Sequence, residues 1–317
     1  MKIESFPRKL FLFRNNLCMF AQTQNELHNM KHMSILAVSL LALVACTPEK
    51  KQEADYSQYV NPMIGTDFTG NTYPGAQLPF GMVQLSPDNG LPGWDRISGY
   101  FYPDTTIAGF SHTHLSGTGA GDLYDISFMP VTRPYKEAPA PLGIYSTFSH
   151  NDEAASAGYY RVLLKDYNIN VELTATERCG IQRYTFPEAE ASVFLNLKKA
   201  MNWDFTLDSK IEVVDSTTIR GYRLSQGWSP LQHVYFETRF SKPFVACHMD
   251  TTSIVTKEKG WIGTAYVARF DFNTEKDEEI LVTTGISGVS MEGAGKNLRA
   301  EVSKDDFDYY QAVSYTH

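Results

Sequence analysis

Residues 159–186 read YYRVLLKDYNINVELTATERCGIQRYTF. Apolar and polar side chains alternate, and turn-forming groups around Asp166–Asn168 and Thr176–Arg178 interrupt the run. A period of two puts alternate side chains on one face of an extended strand. The same pattern returns in ASVFLNLKK (191–199), SKIEVVDSTTIRGYRLS (209–225), HVYFETRFSKPFVACHM (233–249), WIGTAYVARFDF (261–272) and EEILVTTGISGVS (278–290). No segment there carries apolar residues at helical spacing. About ten or more strands are expected between Gly158 and Ser290. The expected fold class is all-β: a large antiparallel β-sandwich of two sheets.

Upstream, from Tyr56 to about Thr132, Gly and Pro punctuate the chain: NPMIGT (61–66), YPGAQLPFG (73–81), SPDNGLPGW (86–94) and FYPDTT (101–106). Long helices cannot form through such a stretch, whereas short strands and ordered loops can. The 317 residues are 43% hydrophobic and 20% charged, a globular composition. The net charge is -8 and no basic stripe exists, so no nucleic-acid partner is expected. The four cysteines, at 18, 46, 179 and 247, lack the spacing of a zinc or redox pair. A disulfide between Cys179 and Cys247 is one possibility the sequence allows.

The N-terminal segment MKHMSILAVSLLALVACTPEKKQEAD (30–55) reads as an address. Lys31 precedes an apolar run, Ile35 to Ala45, about half the roughly 20 residues needed to span a bilayer. That length fits the apolar region of a secretory signal. LVAC (43–46) is similar to a bacterial lipoprotein lipobox, with Cys46 as the lipidated first residue and TPEKKQEAD as a tether. The expected organisation is a spurious extension over 1–29, a signal peptide over 30–46, a tether over 47–55, the sandwich over 56–295 and a linker beginning at 296. The expected location is the bacterial outer membrane or cell surface, held by the lipid anchor alone, with the periplasm as the alternative.

Two stretches invite a chemical reading. GFSHTHLSGTGAGD (109–122) sets His112 and His114 two apart among glycines, with Asp122 closing the run. On an extended strand the two imidazoles would share a face, as a metal site requires, but H-x-H alone is a weak signal and bracing of a loop is the plainer reading. Phosphate binding fails, because no strand–glycine loop–helix context follows. PGWDRISGYFY (92–102) sets Trp94 beside Asp95 and Arg96. Such an indole either stacks on the C–H face of a sugar, with the polar neighbours holding hydroxyls, or lies in the core.

Four motifs in order, YVNPMIGT (59–66), TYPGAQLPFGMVQLSPD (72–88), SGYFYPDTTIAGFSHTHLSGTGAGD (98–122) and ISFMPV (126–131), resemble the N-terminal domain of the glycoside hydrolase family 92 α-mannosidases. The resemblance implies a galactose-mutarotase-like supersandwich followed by an (α/α)6 catalytic domain. It implies calcium-dependent exo-cleavage of α-linked mannose with inversion, on mannose-containing glycans. In the family the acid, the base and most calcium ligands come from the helical domain. This chain turns helix-friendly at about Asn297, where that linker would begin, so the resemblance implies a chain truncated before catalysis, with no catalytic residue and no metal ligand of its own. Its enzymatic activity is therefore left open. The substrate-binding candidates it implies are Trp94, Asp95, Ser98, His112, His114 and Asp122. The alternative is a stand-alone carbohydrate-binding surface lipoprotein.

Overall fold

The computed structural model describes residues 56–198, 203–256 and 261–316; the extension, the signal, the tether and Cys46 lie outside the described residues. Among these, nineteen strands form two large antiparallel sheets and two small ones. The seven-stranded sheet runs, in spatial order, β1 (Ala76–Gln77), β2 (Gln84–Asp88), β4 (Gly109–Ser111), β5 (Ser127–Thr132), β13 (Ala189–Asn196), β18 (Trp261–Thr274) and β17 (Ala246–Thr256). The eight-stranded sheet runs β14 (Phe205–Val213), β15 (Thr218–Gln226), β16 (Gln232–Phe240), β19 (Glu278–Ser287), β12 (Cys179–Phe186), β11 (Ile169–Ala175), β10 (Tyr159–Leu164) and β9 (Glu153–Ser156). β3 (Thr106–Ile107) pairs with β8 (Ser146–Thr147), and β6 (Glu137–Ala138) with β7 (Gly143–Ile144).

The alternation in the sequence becomes the two faces of these strands. In β10, Tyr160, Val162 and Leu164 are buried while Arg161 faces water. Asn168 turns the chain into β11 with φ +50°, a left-handed conformation that asparagine tolerates well. The buried faces of the two sheets meet through aromatic rings. Phe240 of β16 lies 5.3 Å from Phe270 of β18 and 6.4 Å from Phe128 of β5. Ring pairs at such separations add stabilisation beyond simple burial.

β12 and β19 are buried on both faces, which the alternating pattern does not announce. Two helices explain it. α1 (Met291–Glu301) and α2 (Phe307–Thr316) lie on the outer face of the eight-stranded sheet. There Cys179, Ile181 and Leu281 form a second core with Leu298, Val302, Phe307 and Tyr310. α1 begins at Met291, ahead of the expected start near Asn297. The MEGAG opening looks like a loop, but its small residues serve close packing: a Cβ on Gly285 of β19 would stand 2.6 Å from the Ala294 carbonyl oxygen. Ser290 caps the helix by accepting the Gly293 N–H at 3.0 Å. Cys179 and Cys247 are both free thiols, one under the helices and one on β17, so the disulfide considered above does not form.

Candidate functional site

Four connections meet through their side chains: the β4–β5 loop, the 3-10 turn Trp94–Arg96, the chain entering β14, and the β15–β16 hairpin. The turn is built for rigidity. Gly93 takes φ +153°, and the Arg96 N–H returns to the Gly93 carbonyl at 3.0 Å. The Arg96 guanidinium pairs with Asp104, through Nε at 2.6 Å, and lies 4.8 Å from the Phe101 ring centre. Trp94 is therefore held outward, 58% exposed. Its neighbour Asp95 is half-buried and has no hydrogen bond or ion pair among the described residues.

The glycines of the 109–122 run now have separate explanations. Gly117 takes φ +66° in open space. Gly119 lies under the Trp94 ring, where a Cβ would stand 3.3 Å from the indole. After them the backbone is strained: Leu123, Tyr124 and Ile126 have φ of +89°, +64° and +57°. For a β-branched residue such as Ile126 this is a rare conformation, kept only where the surroundings dictate it. The strain fixes the two aspartates of the segment. Asp122 accepts the backbone N–H groups of Trp228 and Ser229, each at 3.0 Å. Asp125 accepts Arg223 at 2.6 Å, Gln232 at 2.7 Å and the Thr113 hydroxyl at 2.8 Å.

Arg223 of β15 is the centre of this network. Fully buried, it binds Asp125 with one nitrogen, Asp204 with another at 2.8 Å, and the Thr206 hydroxyl through Nε at 2.9 Å. One guanidinium thus serves two carboxylates. Burial, with Asp125 and Asp122 nearby, lifts the Asp204 carboxyl to about 6 despite the attraction of Arg223.

The remaining candidates are buried and bonded within the protein. The Ser98 hydroxyl donates to the carbonyls of Thr72 at 2.8 Å and Tyr100 at 3.3 Å. His114 Nδ1 lies 2.7 Å from the Gln84 carbonyl, which can only accept, so this nitrogen donates. Its Nε2 lies 2.9 Å from Asp88 and 3.0 Å from the Ser111 hydroxyl. The trio has the groups of a serine hydrolase, but serine and aspartate share one ring nitrogen and all three side chains are buried. It braces β2 against β4. His112 donates from Nδ1 to the Ile126 carbonyl at 2.8 Å, and its Nε2, buried against Gly180, has no partner among the described residues. Burial pulls its pKa down to about 4. β4 ends at Ser111, so the extended strand that would align the two imidazoles is not present.

Residues 59–287 match the model of the glycosyl hydrolase family 92 N-terminal domain. The chain belongs to glycosyl hydrolase family 92. A family GH92 alpha-mannosidase from Bacteroides thetaiotaomicron, solved in complex with mannoimidazole, superposes with a TM-score of 0.75 at 36% identity, covering 83% of this chain and 36% of the other. A GH92 inverting mannosidase from Bacteroides thetaiotaomicron VPI-5482 gives a TM-score of 0.68 at 26% identity, covering 84% of this chain and 36% of that one. Among curated proteins, an uncharacterized secreted glycosidase from Arthroderma benhamiae is 27% identical over 172 residues, 51% of this chain and 21% of its own length. The chain thus spans about a third of the solved family members and a fifth of the curated relative.

Calcium, implied by the family 92 resemblance, does not fit the residues described here. A calcium ion takes about six to eight oxygen ligands. The oxygens of Asp122 and Asp125 already accept protein donors, and Asp204 gives Oδ2 to Arg223, so its buried Oδ1, without a partner among the described residues, is a single oxygen where a calcium ion needs several. Among the described residues no cluster of three or more His, Cys, Asp or Glu side chains is arranged for a metal.

Sequence reading passed over Arg223, Asp204, Trp203 and Trp228. One signal was available: the Trp-Asp pair of 94–95 recurs at 203–204. Trp203 stands 6.4 Å from Trp94, ring centre to ring centre.

Proposed function

We propose that this chain is the pocket-forming N-terminal domain of an inverting α-mannosidase acting on mannose-containing glycans, and that it binds mannose without hydrolysing its glycosides. The observation that carries this reading is Trp94, held outward on a rigid turn beside an uncommitted carboxylate. An indole face takes the apolar C–H face of a pyranose, and Asp95 accepts from a hydroxyl group. Asp122 holds the neighbouring loop, while Ser98, His112 and His114 support the site from within. Family membership supports the sugar, since a solved relative carries mannoimidazole.

Inversion needs a general acid and a general base, their carboxyl groups about 6.5–9.5 Å apart with water between them. Asp95 is uncommitted here, whereas Asp122, Asp125 and Asp204 are engaged with protein donors. Hydrolysis is accordingly assigned to a helical catalytic domain that supplies the carboxylate pair and the calcium site. The apolar run of 35–45 and Cys46 support a lipid-anchored protein at the outer membrane or cell surface, with the periplasm as the alternative.

The test is calorimetric titration of mannose into residues 47–317, with Trp94→Ala alongside. Saturable binding that weakens at least about tenfold in the variant, roughly 1.4 kcal/mol, is expected. Binding unaffected by the substitution would remove Trp94 from the site. Turnover of an aryl α-mannoside by the same protein would overturn the assignment of catalysis to another domain.

A further inference from the structure

The outer face of the seven-stranded sheet carries a cavity that shares no residue with the Trp94 network. In β5, Phe128 points inward and meets Phe240, so its neighbours Ser127 and Met129 point outward. The register with β13 sets Met129 beside Phe194 and Ser127 beside Asn196, and β18 adds Val267 beside Asn196. The β6–β7 hairpin lies over this patch and leaves a cavity of about 470 Å³. The base of the hairpin is tied by Tyr167, whose hydroxyl donates to the Tyr145 carbonyl at 2.7 Å and accepts the Lys136 N–H at 2.9 Å. Its loop rests on Gly90, where a Cβ would stand 2.7 Å from Leu142 Cδ1. Held at both ends, the cavity is preformed, and its volume falls within the range of small-molecule sites.

The lining changes character along the strands. Met129 and Phe194 make an apolar end, and the Tyr135 ring packs against Phe194 with centres 5.3 Å apart. Ser127 and Asn196 come next. Ser127 is 2% exposed, and its hydroxyl has no hydrogen-bond partner among the described residues. A buried hydroxyl left so costs free energy unless something in the cavity bonds it. Lys198 follows at the mouth, exposed to water. Its backbone is fixed, since the Lys198 N–H donates to Asn196 Oδ1 at 3.0 Å. Its ammonium has the Thr252 hydroxyl at 3.4 Å and no carboxylate partner among the described residues. Glu137, the acidic side chain of the lining, forms no ion pair with it. Apolar wall, unpaired hydroxyl and uncompensated cation thus follow one another, the order presented by a molecule with an apolar body and an anionic head. An ammonium and a hydroxyl both donate, and charge-assisted bonds to a carboxylate are about twice as strong as neutral ones.

We propose that the cavity under the β6–β7 hairpin binds a monocarboxylate with a short aliphatic body. The chain lies on Met129 and Phe194, and the carboxylate accepts from the Ser127 hydroxyl and the Lys198 ammonium. The site is separate from the sugar-binding reading and stands or falls without it.

The experiment is calorimetric titration of octanoate, acetate and 1-octanol into the full chain. Saturable octanoate binding is expected, at least about tenfold tighter than either acetate, which lacks the body, or octanol, which lacks the charge. Lys198→Met, at an exposed position that the fold does not depend on, brings octanoate down to the level of octanol. Lys198→Arg, which keeps the charge, restores most of the difference. Octanoate and octanol binding alike, or octanoate binding that survives Lys198→Met, overturns the carboxylate head. Acetate binding as tightly as octanoate overturns the apolar body. A folded chain that binds octanoate without saturation overturns the site.

Discussion

Asp122 and Trp228, separated by 106 positions in sequence, are joined by a backbone N–H···carboxylate bond of 3.0 Å. The Ser229 N–H occupies the other carboxylate oxygen, so one side chain shapes the tip of the β15–β16 hairpin. Asp122→Ala leaves two partly buried donors unpaired, and a fully buried donor left so costs about 1–3 kcal/mol, which sets the upper range for each. The expected outcome is a lower denaturation midpoint and a hairpin open to limited proteolysis near Trp228. Asp122→Asn keeps one acceptor and falls between. A variant cut no faster than the parent would show that the hairpin holds itself.

Arg223 stands between two buried carboxylates, and its removal strands both. Breaking a buried ion pair on one side costs about 3–5 kcal/mol. Arg223→Met is therefore expected to destabilise the chain by that order in urea unfolding. Arg223→Lys recovers little, since one ammonium cannot span Asp125, Asp204 and Thr206 together. Retention of full stability in the methionine variant would mean that the carboxylates are neutral in the folded protein.

The stability of the sandwich should depend on pH through two buried groups of opposite sense. His112 titrates at about 4 when folded and near 6.5 when unfolded. Between those values the unfolded chain binds more protons, so stability falls as pH drops through that window, by roughly 3 kcal/mol in all. Asp204 titrates at about 6 when folded against 3.8 ordinarily. There the folded chain binds more protons, so its contribution improves as pH falls through 6. His112→Leu should cost stability at pH 7 and progressively less towards pH 4. Parallel curves for parent and variant would show that His112 does not titrate across this range.

Cys46→Ala tests the anchor. The parent should partition with membranes and the variant should appear in the periplasm or medium. Continued membrane association of the variant would remove the lipobox reading.

The two large sheets were legible because a half-buried strand writes its burial as alternation. The helices were half legible, because the small residues that let α1 lie on Gly285 look like loop residues when no neighbour is in view. The site divides the same way. Trp94 and Asp95 stand together in sequence, and their turn is local. Arg223 could not be found so. In β15 the buried set is Ile219, Gly221, Arg223 and Ser225, while Tyr222 and Leu224 are only half-buried on the other face. The interior turns polar towards the site, so hydrophobicity points to the wrong face there. Its partners, 98 residues away at Asp125 and 19 away at Asp204, come together only through the sheet.

The second core beneath α1 and α2 sets an order on synthesis. A nascent chain that has reached Ser287 holds every strand of both sheets, yet Cys179, Ile181 and Leu281 still lack their cover. Until Leu298, Phe307 and Tyr310 emerge from the ribosome, an otherwise complete sandwich carries a bare apolar stripe, the kind of transient surface that chaperones bind.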